Sequence, residues 1–326
     1  MLPTPGDVHV NAPLTGMSLL MAQSMADFVA DRAAPNIPSD KQSNVFYKFT
    51  KDYWFRDSLV KRGPGAAAEE LGYGVATDSF FCDVWAGKKP IADQVRSNED
   101  MPLNSDRNAV QFVTQLERIR REKSFASAFL TTGVWTTDLA GGNGSGDFEE
   151  WNDYTNSTPF INVSSWKTTV QLLTGFRPNK LILGQQVWDQ LRNHPDMIDR
   201  IKAGGAPGAP VPTLVTPMAA AQALELDELL IMSAVENTAK EGAAFSGSYI
   251  SGKKGLLFYQ PPNPGVEVAA AMYTFTWSQY AGNANGTRIK KYREEARASD
   301  MVEIESAFTH KAVGADLGLY LATMVA

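Results

Sequence analysis

The sequence predicts an α+β fold, and three observations support this prediction. Residues 44 to 86 alternate with a period of two, as in β-strands, and residues 105 to 130 repeat at the three-to-four spacing of a helix. Short strand and helix patterns then follow one another between residues 164 and 285. The length of 326 residues suggests about two domains.

Residues 44 to 86 predict one long two-stranded arm. Alternation is clear over 45–49 and again over 81–85, and a turn signal, Lys61-Arg62-Gly63-Pro64-Gly65, lies between the two runs. An isolated hairpin is only marginally stable in water. This one is rich in aromatic residues, so it must be buried against a separate surface, which is either the rest of the chain or another subunit.

The helix over residues 105–130 is the clearest helical pattern in the chain. Its apolar residues share one face, and either Ser105 or Asp106 can cap its first turn. Glu117 with Arg121, and Arg118 with Glu122, are spaced to form ion pairs along the helix.

A compact α+β unit is predicted from about residue 164 to 285, preceded by a Gly-rich loop. A helix begins at Ser164 or Ser165, and Thr216 caps another helix whose first residue is Pro217. The first 40 residues contain five prolines around a short amphipathic segment at 18–30, which predicts an arm with no core of its own. Further strands are predicted at 180–184, 228–234, 255–260, 269–277, 302–308 and 317–321.

Composition argues against several classes of protein. There are 30 Lys and Arg against 36 Asp and Glu, a net charge of −6, so a broadly basic nucleic-acid binder is excluded. The one cysteine, Cys82, excludes a disulfide framework, and three histidines leave little material for a metal centre. No run of 18 apolar residues predicts a membrane span. We expect no cofactor, no metal and no membrane contact.

Two other classes of function have weak sequence support. Gly247 to Lys253 matches most of a P-loop, but Lys254 replaces the hydroxyl residue that would hold magnesium, and no buried strand precedes the loop. A nucleotide-binding enzyme is therefore a minor alternative. Trp135, Trp151 and Tyr154, if exposed, would suggest a carbohydrate- or receptor-binding module.

A basic cluster near the C-terminus offers a candidate contact surface. It contains Arg288, Lys290, Lys291, Arg293 and Arg297, and it is interrupted by Glu294 and Glu295. It is either a solvated strand face or an ionic contact between subunits, with carboxylates such as Glu69 and Glu70 as partners.

The order of these parts, together with one local motif, resembles the bacteriophage major capsid proteins of the HK97-like fold. The motif consists of Phe176-Arg-Pro-Asn-Lys-Leu-Ile-Leu-Gly184, a helix over 187–191, and His194-Pro195-Asp196 continuing to Ile201. It resembles the axial-domain signature of that family, and the resemblance covers nearly the whole chain.

The resemblance implies a structural protein that is not an enzyme and that builds an icosahedral shell around double-stranded DNA. An encapsulin-like compartment shell is the alternative within the same fold. The implied divisions are an N-terminal arm at 1–40, an extended E-loop hairpin at 41–100, a peripheral domain with a spine helix at 101–163, an axial domain at 164–295, and the returning peripheral strands at 296–326.

The resemblance also implies partners and a location. We expect hexamers and pentamers of this chain, a separate scaffolding protein, a decoration protein, and packaged DNA that is not bound sequence-specifically. The location would be the virion, with assembly in the host cytoplasm. The candidate intersubunit contacts are Trp54, Phe55, Arg56, Lys61, Arg62, Glu69, Glu70, Arg288, Lys290 and Arg293.

Overall fold

The computed structural model describes residues 23–49, 51–65, 67–99, 104–203, 215–265 and 268–326. The helices are α1 Ala30–Ala33, α2 Lys51–Trp54, α3 Asp93–Ser97, α4 Ser105–Phe129, α5 Pro159–Thr174, α6 Gln185–Asn193, α7 Pro195–Ala203, α8 Pro217–Ala223 and α9 Ser278–Ala281. The strands are β1 Asn36–Ser39, β2 Ser43–Phe49, β3 Val75–Phe81, β4 Asp83–Ala92, β5 Thr137–Ala140, β6 Lys180–Gly184, β7 Glu228–Met232, β8 Val235–Asn237, β9 Gly247–Tyr249, β10 Gly255–Phe258, β11 Met272–Trp277, β12 Thr287–Glu294, β13 Ser299–Ala312 and β14 Gly318–Ala322.

The main core is built on both faces of a five-stranded sheet with the order β5-β14-β10-β6-β7. Alternate residues of each strand point to opposite faces, so Leu181 and Leu183 pack with one hydrophobic cluster and Ile182 with another. Helices α5 to α8 cover the first face. Residues of α1 and of the C-terminal half of α4 cover the second.

A second five-stranded sheet is organised around the long strand β13. One side of β13 pairs first with β12 and then with β11, and the other side pairs with β4 over ten residue positions. Strand β1 extends this sheet by pairing in parallel with β11. Helix α4 covers part of one face, where Val302 and Ile304 pack against Ala109 and Val113.

The two sheets draw strands from more than one of the predicted domains. Strand β14, from the predicted C-terminal peripheral segment, lies in the sheet of β6 and β7, whereas β11 pairs with β13. The boundaries of the domains themselves stay a prediction.

The long helix is confirmed, but its cap and one of its ion pairs are not as predicted. Asn104 caps the first turn, because its side-chain oxygen accepts a hydrogen bond of 2.9 Å from the Arg107 amide. Glu117 and Arg121 do approach each other, at 3.9 Å. Glu122 does not pair with Arg118; it is buried and has partners elsewhere in the chain.

Those partners lie at the start of α1, within the segment predicted as the N-terminal arm. The two carboxylate oxygens of Glu122 accept hydrogen bonds from the amides of Val29 and Ala30, at 2.9 and 3.0 Å. Arg121 pairs with Asp31 at 2.8 Å. Burial raises the pKa of Glu122 to about 7 against the opposing effect of these hydrogen bonds. Helix α4 therefore anchors the segment around α1 to the body.

Three other local predictions need correction. Within the described part, the short helix predicted across 18–30 is a 3₁₀ turn at Met25–Asp27, and Ala30 begins the separate helix α1. Residues 18–22 lie outside the described part. Helix α5 begins at Pro159, because a proline favours the first turn of a helix and Thr158 ends the preceding loop. The returning strand of the hairpin ends at Phe81, and Asp83 already belongs to β4.

Candidate intersubunit surface

The predicted hairpin is present and consists of β2 and β3. The strands pair antiparallel from Ser43 opposite Phe81 to Phe49 opposite Val75. Because side chains alternate along a strand, the two faces of this ribbon have different surroundings.

One face of the hairpin anchors it to the body. The rings of Phe80 and Phe275 stack with their centroids 4.0 Å apart, and Phe46 stacks on the same ring at 5.7 Å. Asp78, on this face, pairs with Lys48 at 2.8 Å and with Lys311 of β13 at 3.2 Å. The hydrogen bond from Lys48 is the main reason that the pKa of Asp78 falls to about 2. The base of the hairpin is therefore fixed to its own subunit.

The opposite face and the segment between the two strands expose apolar side chains. Phe81 is 56% exposed, although its neighbour Phe80 is buried. The rings of Trp54 and Tyr73 lie 5.7 Å apart, so the two sides of the segment contact each other there. The exposed large apolar side chains of this region are Val45, Tyr47, Trp54, Phe55, Leu59, Val60, Leu71, Tyr73, Val75 and Phe81. We call this set the hairpin surface.

The hairpin surface brings ten exposed large apolar side chains together within residues 45–81. Single exposed apolar residues are normal, but such a concentration in one segment favours an interaction site. The charged residues predicted as contacts lie in the same segment, and all five are exposed: Arg56, Lys61, Arg62, Glu69 and Glu70. Trp54 and Phe55 are exposed as predicted for contact residues, and their role between subunits stays a prediction.

The predicted basic cluster lies elsewhere, on β12, and its charges have partners within the chain. Arg288 and Lys290 both bind the carboxylate of Glu305, the latter at 2.7 Å. Arg293 binds both oxygens of Asp93 at 2.6 Å. Glu69 and Glu70 are not among the partners of these groups, so the structure does not bring the two sets together within one subunit.

The pKa of Glu305 shows the effect of its ion pairs with Arg288 and Lys290. Burial alone would raise the pKa of its carboxyl, but hydrogen bonds from Lys290 and Arg288 outweigh that effect and lower it to about 2. The outer face of the β12–β13 ribbon therefore satisfies its own charges.

The P-loop alternative is not supported by the local structure. Strand β9 precedes Gly252, and a turn then leads directly into strand β10. A phosphate cradle requires a helix at this point, because the amides of the first helical turn bind the phosphates. The side chain of Lys254 donates to the carbonyl oxygen of Leu130 at 3.0 Å, which gives it a structural role.

One histidine does lie beside a serine, which the sequence did not indicate. Ser157 Oγ is 3.0 Å from His194 Nε2, and His194 Nδ1 accepts a hydrogen bond from the Asp196 amide. Since Nδ1 is an acceptor, the neutral ring carries its proton on Nε2 and donates it to Ser157. A general base would need the opposite arrangement, so this buried pair closes the turn before α7 rather than activating a nucleophile.

The binding module suggested by exposed tryptophans is contradicted at two of its three residues. Trp135 and Trp151 are both buried, and only Tyr154 is exposed. Cys82 is also buried, and burial raises the pKa of its thiol to about 12, which disfavours the reactive thiolate. Within the described ranges, no group of acidic, histidine and cysteine residues is arranged to hold a metal ion. Nor does any helix there have the length and apolar character needed to cross a membrane.

The chain has an α+β fold of the HK97-like capsid class. Its defining parts are the long helix, the sheet built on a 14-residue strand, the second sheet covered by short helices, and the projecting hairpin. Comparisons with known proteins confirm this fold. A phage-related protein from Bordetella bronchiseptica RB50 has a TM-score of 0.69 at 18% identity, covering 93% of each chain. The capsid of a native GTA particle has a TM-score of 0.58 at 10% identity, covering 98% of this chain and 99% of that one.

A sequence relative points in the same direction. The major capsid protein of Burkholderia phage BcepMu is 24% identical over 191 residues, which is 57% of this chain and 59% of the relative. The match thus spans less than two thirds of that relative's length. No family model matches the chain.

The encapsulin alternative also has a structural counterpart. The holo-SrpI encapsulin complex of Synechococcus elongatus PCC 7942 has a TM-score of 0.52 at 9% identity, covering 89% of this chain and 85% of that chain. At such identities the likeness concerns the fold alone.

Proposed function

We propose that this chain is the major capsid subunit of a bacteriophage, and that copies of it assemble into a closed icosahedral shell around double-stranded DNA. The observation that carries the proposal is the hairpin surface, which exposes apolar side chains on a segment whose base is fixed to the body by the stacking of Phe80 on Phe275. A second copy is the partner that fits, because contacts between unlike surfaces of identical subunits generate rings. The fold and the capsid relative support this proposal.

The proposal extends to the assembly state, the assisting protein and the location. The subunits form hexamers and pentamers, a separate scaffolding protein assists them, and the finished shell lies in the virion after assembly in the host cytoplasm. The net charge of −6 favours a shell that repels DNA weakly and binds it without sequence specificity. The role is structural rather than enzymatic.

An encapsulin-like compartment is the second candidate, because one encapsulin shares this fold. The two candidates differ in what the shell encloses. A capsid subunit requires packaging of DNA, whereas a compartment shell binds a cargo protein on its inner face.

Negative-stain electron microscopy of the purified full-length protein, alone and co-expressed with the neighbouring genes of its source genome, tests the proposal. We expect closed, uniform, roughly spherical particles, and nuclease-resistant DNA inside those made in the complete phage background. A protein that stays monomeric at high concentration and in every co-expression would contradict the proposal. Particles that enclose a protein cargo and no DNA would favour the compartment.

A further inference from the structure

The segment that follows β2 returns to the body of its own subunit at two points. At the first, the ammonium group of Lys51 lies 2.6 Å from Oδ2 of Asp316. Asp316 belongs to the 3₁₀ turn Ala315–Leu317, which connects the two sheets between β13 and β14. This ion pair therefore joins the hairpin to a fixed part of the core across 265 positions of sequence.

At the second point, the ring of Phe55 lies on the backbone of Gly175. A Cβ atom at position 175 would be 3.2 Å from two ring carbons of Phe55, so a larger residue would crowd the ring. Gly175 ends helix α5 with a φ of 75°, a conformation that glycine adopts at little cost. Beside this contact, a cleft of about 650 Å³ lies between residues 51–56 and the end of α5. It is lined by Lys51, Asp52, Phe55, Arg56, Gln171, Leu172, Leu173 and Gly175.

The body side of this contact is fixed, whereas the hairpin side is shallow. Asp316 also accepts a hydrogen bond from the hydroxyl of Thr136 at 2.5 Å. Burial raises the pKa of its carboxyl, but the hydrogen bonds from Lys51 and Thr136 lower it more, so its pKa lies below the usual range. Phe55, in contrast, remains 65% exposed while it touches Gly175. The Lys51–Asp316 ion pair is also partly exposed, and exposed ion pairs contribute little to stability. The two contacts together can therefore open easily.

We propose that the Lys51–Asp316 ion pair and the Phe55–Gly175 contact form an intrasubunit latch that holds the hairpin against its own body and slows polymerisation. While the latch is closed, the part of the Phe55 ring that lies on Gly175 is not available to a second copy. Opening the latch frees Phe55 and Arg56, two of the predicted intersubunit contacts, for a neighbouring subunit. This inference rests on the proposed function, since only a subunit that assembles needs its hairpin restrained beforehand.

The latch lowers the apparent affinity of one subunit for the next. When only a fraction of subunits has a free hairpin, the apparent affinity for the next subunit falls by that fraction. An exposed ion pair is worth a few tenths to 1 kcal/mol, so losing it raises the free fraction by about two- to fivefold. The latch is therefore weak enough to open on contact with a growing shell.

The Lys51→Ala variant of the full-length protein tests the latch in two measurements. In unassembled subunits at low concentration, amide hydrogen exchange over residues 51–56 should become about two- to fivefold faster than in the wild type. The threshold concentration for particle formation, followed by light scattering, should fall by a similar factor. The Lys51→Arg variant keeps the charge and should behave like the wild type in both.

Lys240→Ala is the matched control, because it removes the same charge from an exposed position outside the hairpin without touching Asp316. It should leave hydrogen exchange over 51–56 unchanged and should not lower the threshold. Unchanged exchange in Lys51→Ala would overturn the latch. Faster exchange with an unchanged or higher threshold would overturn its role as a brake.

A failure of the proposed function would be recognised separately. If no variant and no wild-type sample forms closed particles, the proposed function fails and the brake fails with it. The exchange measurement on unassembled subunits would then still decide whether the contact between Lys51 and Asp316 holds the hairpin.

Discussion

Two β-ribbons with similar alternating sequence patterns differ in how far the subunit buries them. In the ribbon of β12, β13 and β4, one face is covered by helix α4 and the other carries ion pairs such as that between Lys290 and Glu305. The hairpin of β2 and β3 buries Phe46 and Phe80 at its base, and its other face and distal segment stay exposed.

The two ribbons differ in where their side chains find partners. The ribbon of β12, β13 and β4 pairs its apolar and charged groups within one chain, so it is a structural element of the subunit. Both of its free edges carry lysines, and β4 also carries Pro90, which is how edge strands avoid pairing with other chains. The hairpin leaves apolar groups uncovered. On this account it completes its burial only when sister copies meet.

The largest expected effect comes from removing the distal part of the hairpin. Replacing residues 57–70 by a short Gly-Ser linker should abolish closed particles, because the apolar residues that would cover a neighbour, such as Leu59 and Val60, are lost with it. The subunit should stay folded, since these side chains pack on no core cluster of the described chain. Electron microscopy and circular dichroism measure the two results. Normal particles from the deletion variant would show that the hairpin has no role in closure.

Adjacent phenylalanines on opposite faces sharpen the comparison. Phe80→Ala should lower the free energy of unfolding by about 3 kcal/mol, because it removes a buried ring that stacks on Phe275. Phe81→Ala should change it by less than about 0.5 kcal/mol and should instead raise the concentration needed for assembly. Urea unfolding of unassembled subunits, with light scattering for assembly, separates the two. Equal losses of stability would mean that both faces of the hairpin are buried within the subunit.

A smaller effect is expected from the charges of the self-sufficient ribbon. The pKa of Glu305 is lowered to about 2 in the folded chain, so its contribution to stability is present above its ordinary pKa of 4.5 and is lost as pH falls through about 2. We expect that contribution to be about 2 kcal/mol. It is smaller than the full pKa shift would give, because the partners Arg288 and Lys290 are partly exposed and solvent screens the ion pairs.

Glu305→Gln should therefore lower stability at pH 7 and flatten its fall between pH 4.5 and 2. Glu303→Gln, two residues away on the same face, is the matched control, and we expect a change below about 1 kcal/mol. Urea unfolding of unassembled subunits across this pH range checks both variants. If the two behaved alike, the ion pairs on the outer face of β13 would not be stabilising the ribbon.

The sequence predicted the elements whose signal is local. Helix α4 and the strands β2, β6 and β14 follow from periodicity, and Thr216 with Pro217 marked the start of α8. The projecting aromatic hairpin, which carries the functional proposal, was visible in the alternation of residues 45–49. Its contacts with a second subunit stay a prediction.

The rest depends on contacts between distant residues. Trp85 seemed to continue the hairpin, but it pairs with Ser306 of β13, more than 200 positions away. Glu122 looked like a surface partner of Arg118 and is instead buried at the start of α1. Trp151, in a loop rich in polar residues, was expected outside and fills the core against Trp166. In each case tertiary pairing overrides a local pattern, and no local signal reveals it.

Oxidative footprinting of side chains, compared between closed particles and dispersed subunits of the wild-type protein, shows whether neighbouring copies cover the hairpin surface. Hydroxyl-radical modification of Tyr47, Tyr73 and Phe81 should fall several-fold on assembly, because sister copies cover these exposed rings. Trp151, buried within the subunit, should stay protected in both states. Equal modification of the three hairpin rings in particles and in subunits would contradict the claim that neighbouring copies bury them.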